Sequence, residues 1–180
     1  MSGYLQEATG VQFLRHLLNT SGIERFPQYQ YDMVRIGIGL YFTGSMKPGG
    51  PGTATSFKST ISQVKTVRAG EGIGYGFTDL SDHDRIIAVV PVGYADGLPR
   101  MLGGGRIEMF VNGSRVPTAG RVCMDMCMID VTGIETSPGD EVEIFGPNIS
   151  ILEIADACAT IPHEILTGIP PRVRRVFLYD

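Results

Sequence analysis

The sequence predicts a mainly β protein, a barrel or sandwich of short strands with one or two short helices, preceded by an incomplete α/β segment. Three observations lead there. Gly 24 and Pro 11 make up roughly a fifth of the 180 residues and follow no period, which marks many tight turns and disfavours a helical bundle. From residue 54 onward, short Val- and Ile-rich runs alternate with turn residues, the spacing of a sandwich or barrel. Before residue 47, two apolar runs flank a polar stretch, as in consecutive units of an α/β protein, whose parallel strands are covered on both faces.

In the first part, residues 11–18 are an apolar run compatible with strand or helix, 19–30 are polar, and 34–42 are dense in Ile, Gly and Leu. So short a segment cannot cover both faces of a parallel sheet, so it either packs on the second part or belongs to something longer. Residues 47–52, Lys-Pro-Gly-Gly-Pro-Gly, form a flexible, helix-incompatible connection, dividing the chain into 1–47 and 48–180. In the second part, residues 57–67 alternate loosely and 85–92 are a continuous Ile/Val run. Residues 106–111 and 115–116 flank Asn112-Gly113, the strongest short hairpin signal. Residues 121–131 and 141–145 complete the strands. Ser150 followed by Glu153 makes a capping box ahead of an apolar stripe of Ile151, Ile154, Ala155 and Cys158, which predicts a helix. A second short helix is predicted to start at Pro162 and stop at Gly168.

Charge excludes some functions. Lys plus Arg number 15 against 19 Asp plus Glu, a net charge of −4 with no basic cluster, so no nucleic-acid partner is expected. No apolar run reaches the length of a membrane span and the N-terminus has no basic segment leading into an apolar one, so the expectation is a cytoplasmic protein without a membrane partner. Cys123, Cys127 and Cys158 are an odd number, which fits reduced thiols. Cys123, Asp125 and Cys127 would share one face of a strand, but His16, His83 and His163 are scattered and provide no second ligand pair, so no metal is expected.

The residues that could carry chemistry are tyrosines between small neighbours, Gly74-Tyr75-Gly76 and Gly93-Tyr94-Ala95-Asp96-Gly97. Small flanks let the backbone bend and expose the phenol, although ordinary strand-end tyrosines look the same. A phenol of ordinary pKa near 10 is only about 0.1% ionised at pH 7, a deficit of roughly 4 kcal/mol, so a tyrosine base needs a neighbouring cation. Gly37-Ile38-Gly39, following Arg35, could bring backbone amides to a phosphate, though the spacing of a P-loop or dinucleotide fingerprint is lacking. Residues 123–128, Cys-Met-Asp-Met-Cys-Met, read most simply as a core strand filled by adaptable Met side chains.

Taken in order, Asp32-Met33-Val34-Arg35-Ile36-Gly37-Ile38, Gly74-Tyr75-Gly76, Val92-Gly93-Tyr94-Ala95-Asp96-Gly97 and Gly120-Arg121-Val122-Cys123-Met124-Asp125 resemble the C-terminal portion of the alanine racemases. The resemblance runs over nearly the whole chain. It implies that residues 1–47 are the last strands of a pyridoxal-phosphate-binding (β/α)8 barrel, that 48–180 are the mainly β C-terminal domain, and that two subunits pair head to tail. It also implies roles. Tyr75 matches the base for the L-enantiomer, which acts in the partner's active site. Arg35 matches the arginine facing the cofactor's pyridine nitrogen, where an always-protonated group can only donate. Asn19, Thr20, Gly37 and Ile38 match the phosphate-binding positions, with Thr20 where the family usually has Ser. Met124 matches the residue whose amide meets the substrate carboxylate, and Tyr94 and Asp125 match the lining of the substrate entrance.

Two departures accompany the resemblance. Many relatives carry a phosphate-touching tyrosine just before an Arg-Val-Pro-Arg stretch, where this chain has Pro170-Pro171-Arg172-Val173-Arg174, so no role passes to Pro171. The lysine that holds the cofactor covalently lies early in the family's barrel, and Lys47, Lys58 and Lys65 stand in no matching motif. The expectation is a piece of an alanine racemase that interconverts L- and D-alanine with a tyrosine and a lysine as its two bases, providing D-alanine for peptidoglycan, and that is inactive in isolation. The rival expectations are a related racemase acting on serine or lysine, and a non-catalytic dimerisation module.

Overall fold

The computed structural model describes residues 2–41 and 54–178, so the 47–52 linker lies outside the described residues. The chain divides into two compact units, Met1–Ala54 and Thr55–Asp180.

In the first unit, helix α1 (Ser2–Thr9) precedes strand β1 (His16–Asn19), helix α2 (Thr20–Arg25) and strand β2 (Met33–Arg35). β1 and β2 pair in parallel, His16 with Met33 and Asn19 with Arg35, across a crossover that contains α2, as parallel strands require. Of the apolar run at 11–18 only its end is strand. The Asn19 side chain caps α2 by accepting the Gly22 amide at 3.0 Å. Ahead of β1, the Arg15 guanidinium grips Asp32 through Nε at 2.8 Å and Nη2 at 3.0 Å. That bond holds the Asp32 carboxyl down at about 2.

The second unit is a single curled antiparallel sheet with two short helices. Its strands are β3 (Phe57–Thr60), β4 (Gln63–Val67), β7 (Arg85–Val90), β8 (Glu108–Val111), β9 (Ser114–Ala119), β10 (Cys127–Asp130) and β11 (Glu141–Phe145), with a separate two-stranded ribbon of β5 (Gly72–Ile73) and β6 (Asp79–Leu80). The order across the sheet is β3, β11, β8, β9, β10, β7, β4. Its two outer strands are therefore consecutive in the chain. At Ile61 and Ser62 the backbone hands over from one edge to the other, Ile61 N–H donating to Asp140 O and Ser62 N–H to Val89 O. One bent segment thus closes the sheet into a barrel.

Ile87, Met109, Ile129, Ile144 and Phe145 are fully buried, and since Ile87 and Ile129 sit on opposite faces of the β7–β10 pair, the sheet is covered on both sides there. Asn112 and Gly113 both take positive φ, 45° and 80°, as a type I′ hairpin turn demands. Helix α3 (Ile151–Ala157) carries the capping box read from the sequence, Ser150 Oγ accepting Leu152 N–H and Glu153 Oε1 accepting Ser150 N–H. Its Ile151, Ile154 and Ala155 are buried, and α4 (Pro162–Gly168) follows with the predicted bounds.

The core-strand reading of residues 121–131 needs correction. Strand β10 begins only at Cys127. Before it the chain turns back on itself, Cys123 N–H donating to Met126 O at 2.8 Å, and Met124 and Met126 face solvent. A tight turn breaks the period-2 alternation that would have put Cys123, Asp125 and Cys127 on one face. Cys127 is the core member, its thiol pushed up to about 12 chiefly by burial.

Candidate active site

Two loops of the barrel unit converge on residues 120–125. The first connects β5 to β6 and carries Tyr75, which is 72% exposed. Gly74, Gly76 and Phe77 there take φ of 70°, 77° and 47°, a left-handed path that glycine follows freely and that points the loop outward. Its root is anchored in a cluster of Val67, Ile73, Ile87, Ala119 and Met128. A Cβ on Gly74 would lie 2.8 Å from Met128 Cε and 3.6 Å from the Arg121 amide, and one on Gly76 would lie 3.4 Å from Arg121 Nη1. A guanidinium therefore sits one residue from Tyr75. The tyrosine reading required a neighbouring cation, and the sequence could not say which; Arg121 was visible there only as a letter in the Gly120–Asp125 motif.

The second loop, after β7, carries Tyr94. Its amides dock on the same segment, Tyr94 N–H donating to Cys123 O and Ala95 N–H to Met124 O, both at 3.0 Å. The approach is close enough that a Cβ on Gly93 would fall 2.3 Å from the Met124 oxygen, so only glycine fits. The Asp96 carboxylate, 9% exposed, folds back to accept Gly93 N–H at 2.9 Å. Arg172 then joins the Tyr94 loop to this segment, its Nε reaching Asp96 Oδ1 at 2.9 Å and its Nη2 reaching Asp125 Oδ1 at 3.0 Å. Tyr94, Met124 and Asp125 are thus neighbours. Beside them, Thr78, Asp79, Arg100, Arg106, Gly120 and Arg121 line an open cavity of about 550 Å³.

The remaining candidate residues lie in the first unit. Gly37 N–H and Gly39 N–H both donate to Thr20 Oγ1, at 3.1 and 3.3 Å. A Cβ on Gly39 would strike the Thr20 methyl at 2.8 Å, whereas one on Gly37 would meet nothing within 4 Å. Open space therefore lies in front of the turn that carries Gly37 and Ile38. The Ile38 side chain is buried, leaving its backbone as the group available to a ligand, and Asn19 is engaged in capping α2. The Gly37 and Gly39 amides are engaged on Thr20 Oγ1, so the Thr20 hydroxyl proton and the Ile38 amide are the donors of this turn that fit phosphate oxygens. Arg35 is exposed, and its Nη2 donates to Leu17 O at 3.2 Å across β1, which fixes the guanidinium above this strand pair.

The fold defines a β-barrel domain whose two glycine-framed tyrosine loops approach one segment; the other unit carries a phosphate-compatible turn. The sequence profile described as "Alanine racemase, C-terminal domain" matches residues 54–177. The chain is 43% identical to an alanine racemase of Desulfosudis oleivorans over 91% of this chain and 44% of that protein. It is 41% identical to alanine racemase 2 of Caldanaerobacter subterraneus over 96% of this chain and 47% of that protein. Among solved structures, the alanine racemase of Streptomyces coelicolor superposes with a TM-score of 0.90 at 30% identity, covering 99% of this chain and 49% of the other. That of Bartonella henselae with covalently bound pyridoxal phosphate gives 0.82 at 27% identity, covering 98% and 50%. The chain belongs to the alanine racemase family. It spans about half the length of the curated relatives it matches.

Proposed function

We propose that the chain is the C-terminal part of a cytoplasmic, pyridoxal-phosphate-dependent alanine racemase that works as a head-to-tail homodimer and provides D-alanine for peptidoglycan. In this reading residues 1–47 are the end of the cofactor-binding barrel and 48–180 the domain offered to the partner subunit. The observation that carries it is the convergence of the Tyr75 and Tyr94 loops on residues 120–125, with Arg121 beside Gly76.

Racemisation takes a proton from one face of the substrate Cα and returns one to the other, so two bases must flank it. Tyr75 Oη is the base on the face from which L-alanine loses its proton, and the Arg121 guanidinium lies beside its neighbour Gly76. The Met124 amide holds the substrate carboxylate, while Tyr94 and Asp125 line the approach to it. Thr20 and the backbones of Gly37 and Ile38, together with Asn19, would hold the cofactor phosphate, and Arg35 would face its ring nitrogen. Pyridoxal phosphate, when bound, supplies the electron withdrawal that acidifies the substrate Cα.

The second base is a lysine with no counterpart among Lys47, Lys58 and Lys65, so this chain alone is inactive. Purified with added pyridoxal phosphate, it should convert L- to D-alanine no faster than a blank, and turnover well above the blank would overturn that. In the full-length racemase, Tyr75→Phe should keep the cofactor absorbance and slow the L-to-D direction more than the reverse; equal slowing would contradict the assigned face. The alternatives, a racemase for serine or lysine and a non-catalytic dimerisation module, are separated by a substrate panel and a cofactor absorbance titration of that same protein.

A further inference from the structure

We infer that Asp79 is a positioning residue for Tyr75, fixing the height and tilt of the Tyr75 loop over residues 120–125; the inference rests on the reading of Tyr75 as a proton-transfer group. Asp79 is the first residue of β6, directly after the loop, and pairs with Ile73 across the ribbon. Its two carboxylate oxygens have separate duties. Oδ2 accepts the Gly120 amide at 2.6 Å, and Oδ1 accepts Arg85 Nη1 at 2.7 Å.

The first bond ties the Tyr75 loop to the segment bearing Arg121 and Met124. Gly120 has φ of 60°, and a Cβ there would lie 2.7 Å from the Ile73 carbonyl oxygen, so ribbon and segment are already in contact and the bond to Asp79 sets their register. The second bond anchors the carboxylate to the barrel. Arg85, whose side chain is 12% exposed, also donates through Nε to Asp130 Oδ2 at 2.8 Å. Asp130 in turn accepts from the Thr132 amide and hydroxyl. Burial works against the Arg85 charge, but the hydrogen bonds it donates to Asp79 and Asp130 prevail and raise its pKa. A connected chain thus runs from β10 and β7 through Asp79 to the Gly120 amide.

Tyr94 gives the internal control, because its loop docks on the same segment through different bonds, to the carbonyls of Cys123 and Met124. Loss of the Asp79 bond should therefore move Tyr75 and leave Tyr94. A general loosening of the barrel would move both.

The test uses this chain with labelled tyrosine rings and amide hydrogen exchange. Asp79→Asn removes the charge facing Arg85 and leaves one oxygen for two donors. The Gly120 amide should then exchange about tenfold faster, and the Tyr75 ring signals should shift while those of Tyr94 stay. Arg85→Lys, which spares the bond to Gly120, should lower the melting temperature and keep Gly120 exchange within about twofold of the parent. Unchanged Gly120 exchange with an unmoved Tyr75 in Asp79→Asn, or equal shifts of both tyrosines, would overturn the inference. If Asp79→Asn does not fold, the unsubstituted chain in rising urea decides: Gly120 protection and the Tyr75 signal should be lost at the same concentration, and their loss at different concentrations refutes the link. None of these readouts needs turnover. A full-length protein that failed to racemise alanine would overturn the proposed function while leaving this result standing.

Discussion

The Thr55–Asp180 unit has a large apolar core, with Ile87, Met109 and Ile129 at 0% exposure, whereas in the Met1–Ala54 unit only Leu18 and Ile38 are buried apolar residues among those described. Tyr4, Leu14, Leu17 and Leu40 there are each at least 60% exposed. The difference follows from the kind of sheet. An antiparallel sheet that closes on itself completes its own core, while the parallel pair β1–β2 has two faces to cover and, among the described residues, only short helices to cover them with. Each unit nevertheless carries candidate residues of its own: the barrel unit the tyrosines, the other the phosphate-compatible turn.

The largest test of this contrast is Ile129→Ala, which empties a fully buried position on β10 and should cost about 2–5 kcal/mol in urea unfolding of the chain. Leu17→Ala, at an exposed position, should change it by no more than about 0.5 kcal/mol. Comparable losses would abolish the distinction between the units. Next in size is Glu143→Ala. This carboxylate is buried and accepts three N–H groups, from the Asn148 backbone, the Asn148 side chain and the Ile149 backbone. Removing it leaves buried donors unpaired, at a cost of about 1–3 kcal/mol in the same unfolding measurement.

The smallest expected effect lies in the first unit and depends on pH. Asp32 has its pKa lowered to about 2 by the hydrogen bond from Arg15. A depressed carboxyl stabilises the folded form above its unfolded pKa, near 3.9, and loses that contribution as pH falls from there through about 2. The Tyr31 ring, whose centroid lies 5.5 Å from the Arg15 guanidinium carbon, should report the loss as a resonance shift in that window. Asp32→Asn should abolish the shift.

Much of the barrel was readable because its signals are local. Ser150 with Glu153, Pro162 with Gly168, and Asn112-Gly113 each set an element through neighbours a few residues away, and each element formed as read. The β5–β6 ribbon was not legible. Two-residue strands carry no period, and this ribbon is joined to the barrel by a bond from Gly120 to Asp79, 41 residues apart. The same distinction holds in the candidate site. Glycines on either side of Tyr75 and Tyr94 marked those side chains as unusual, while the parts played by Arg121, Asp79 and Arg172 depend on chain segments that meet only in the fold. The sulfur-rich run at 123–128 misled for a related reason: its alternation is genuine, but a turn at Cys123–Met126 consumes half of it.

The bent segment that contributes both outer strands also dictates the order in which the barrel can assemble. The hairpin of β8 and β9 joins near neighbours, but the seam between β3 and β11 brings Lys58 to Glu141 across 83 residues at 2.7 Å. Shutting that seam incurs the loop-closure entropy of most of the domain before its ladder returns anything, which slows folding relative to a fold of local contacts. Until it shuts, β3 and β11 expose unpaired backbone to any other nascent chain. Dilution and slow refolding should therefore govern the yield of soluble protein more than the strength of any single contact.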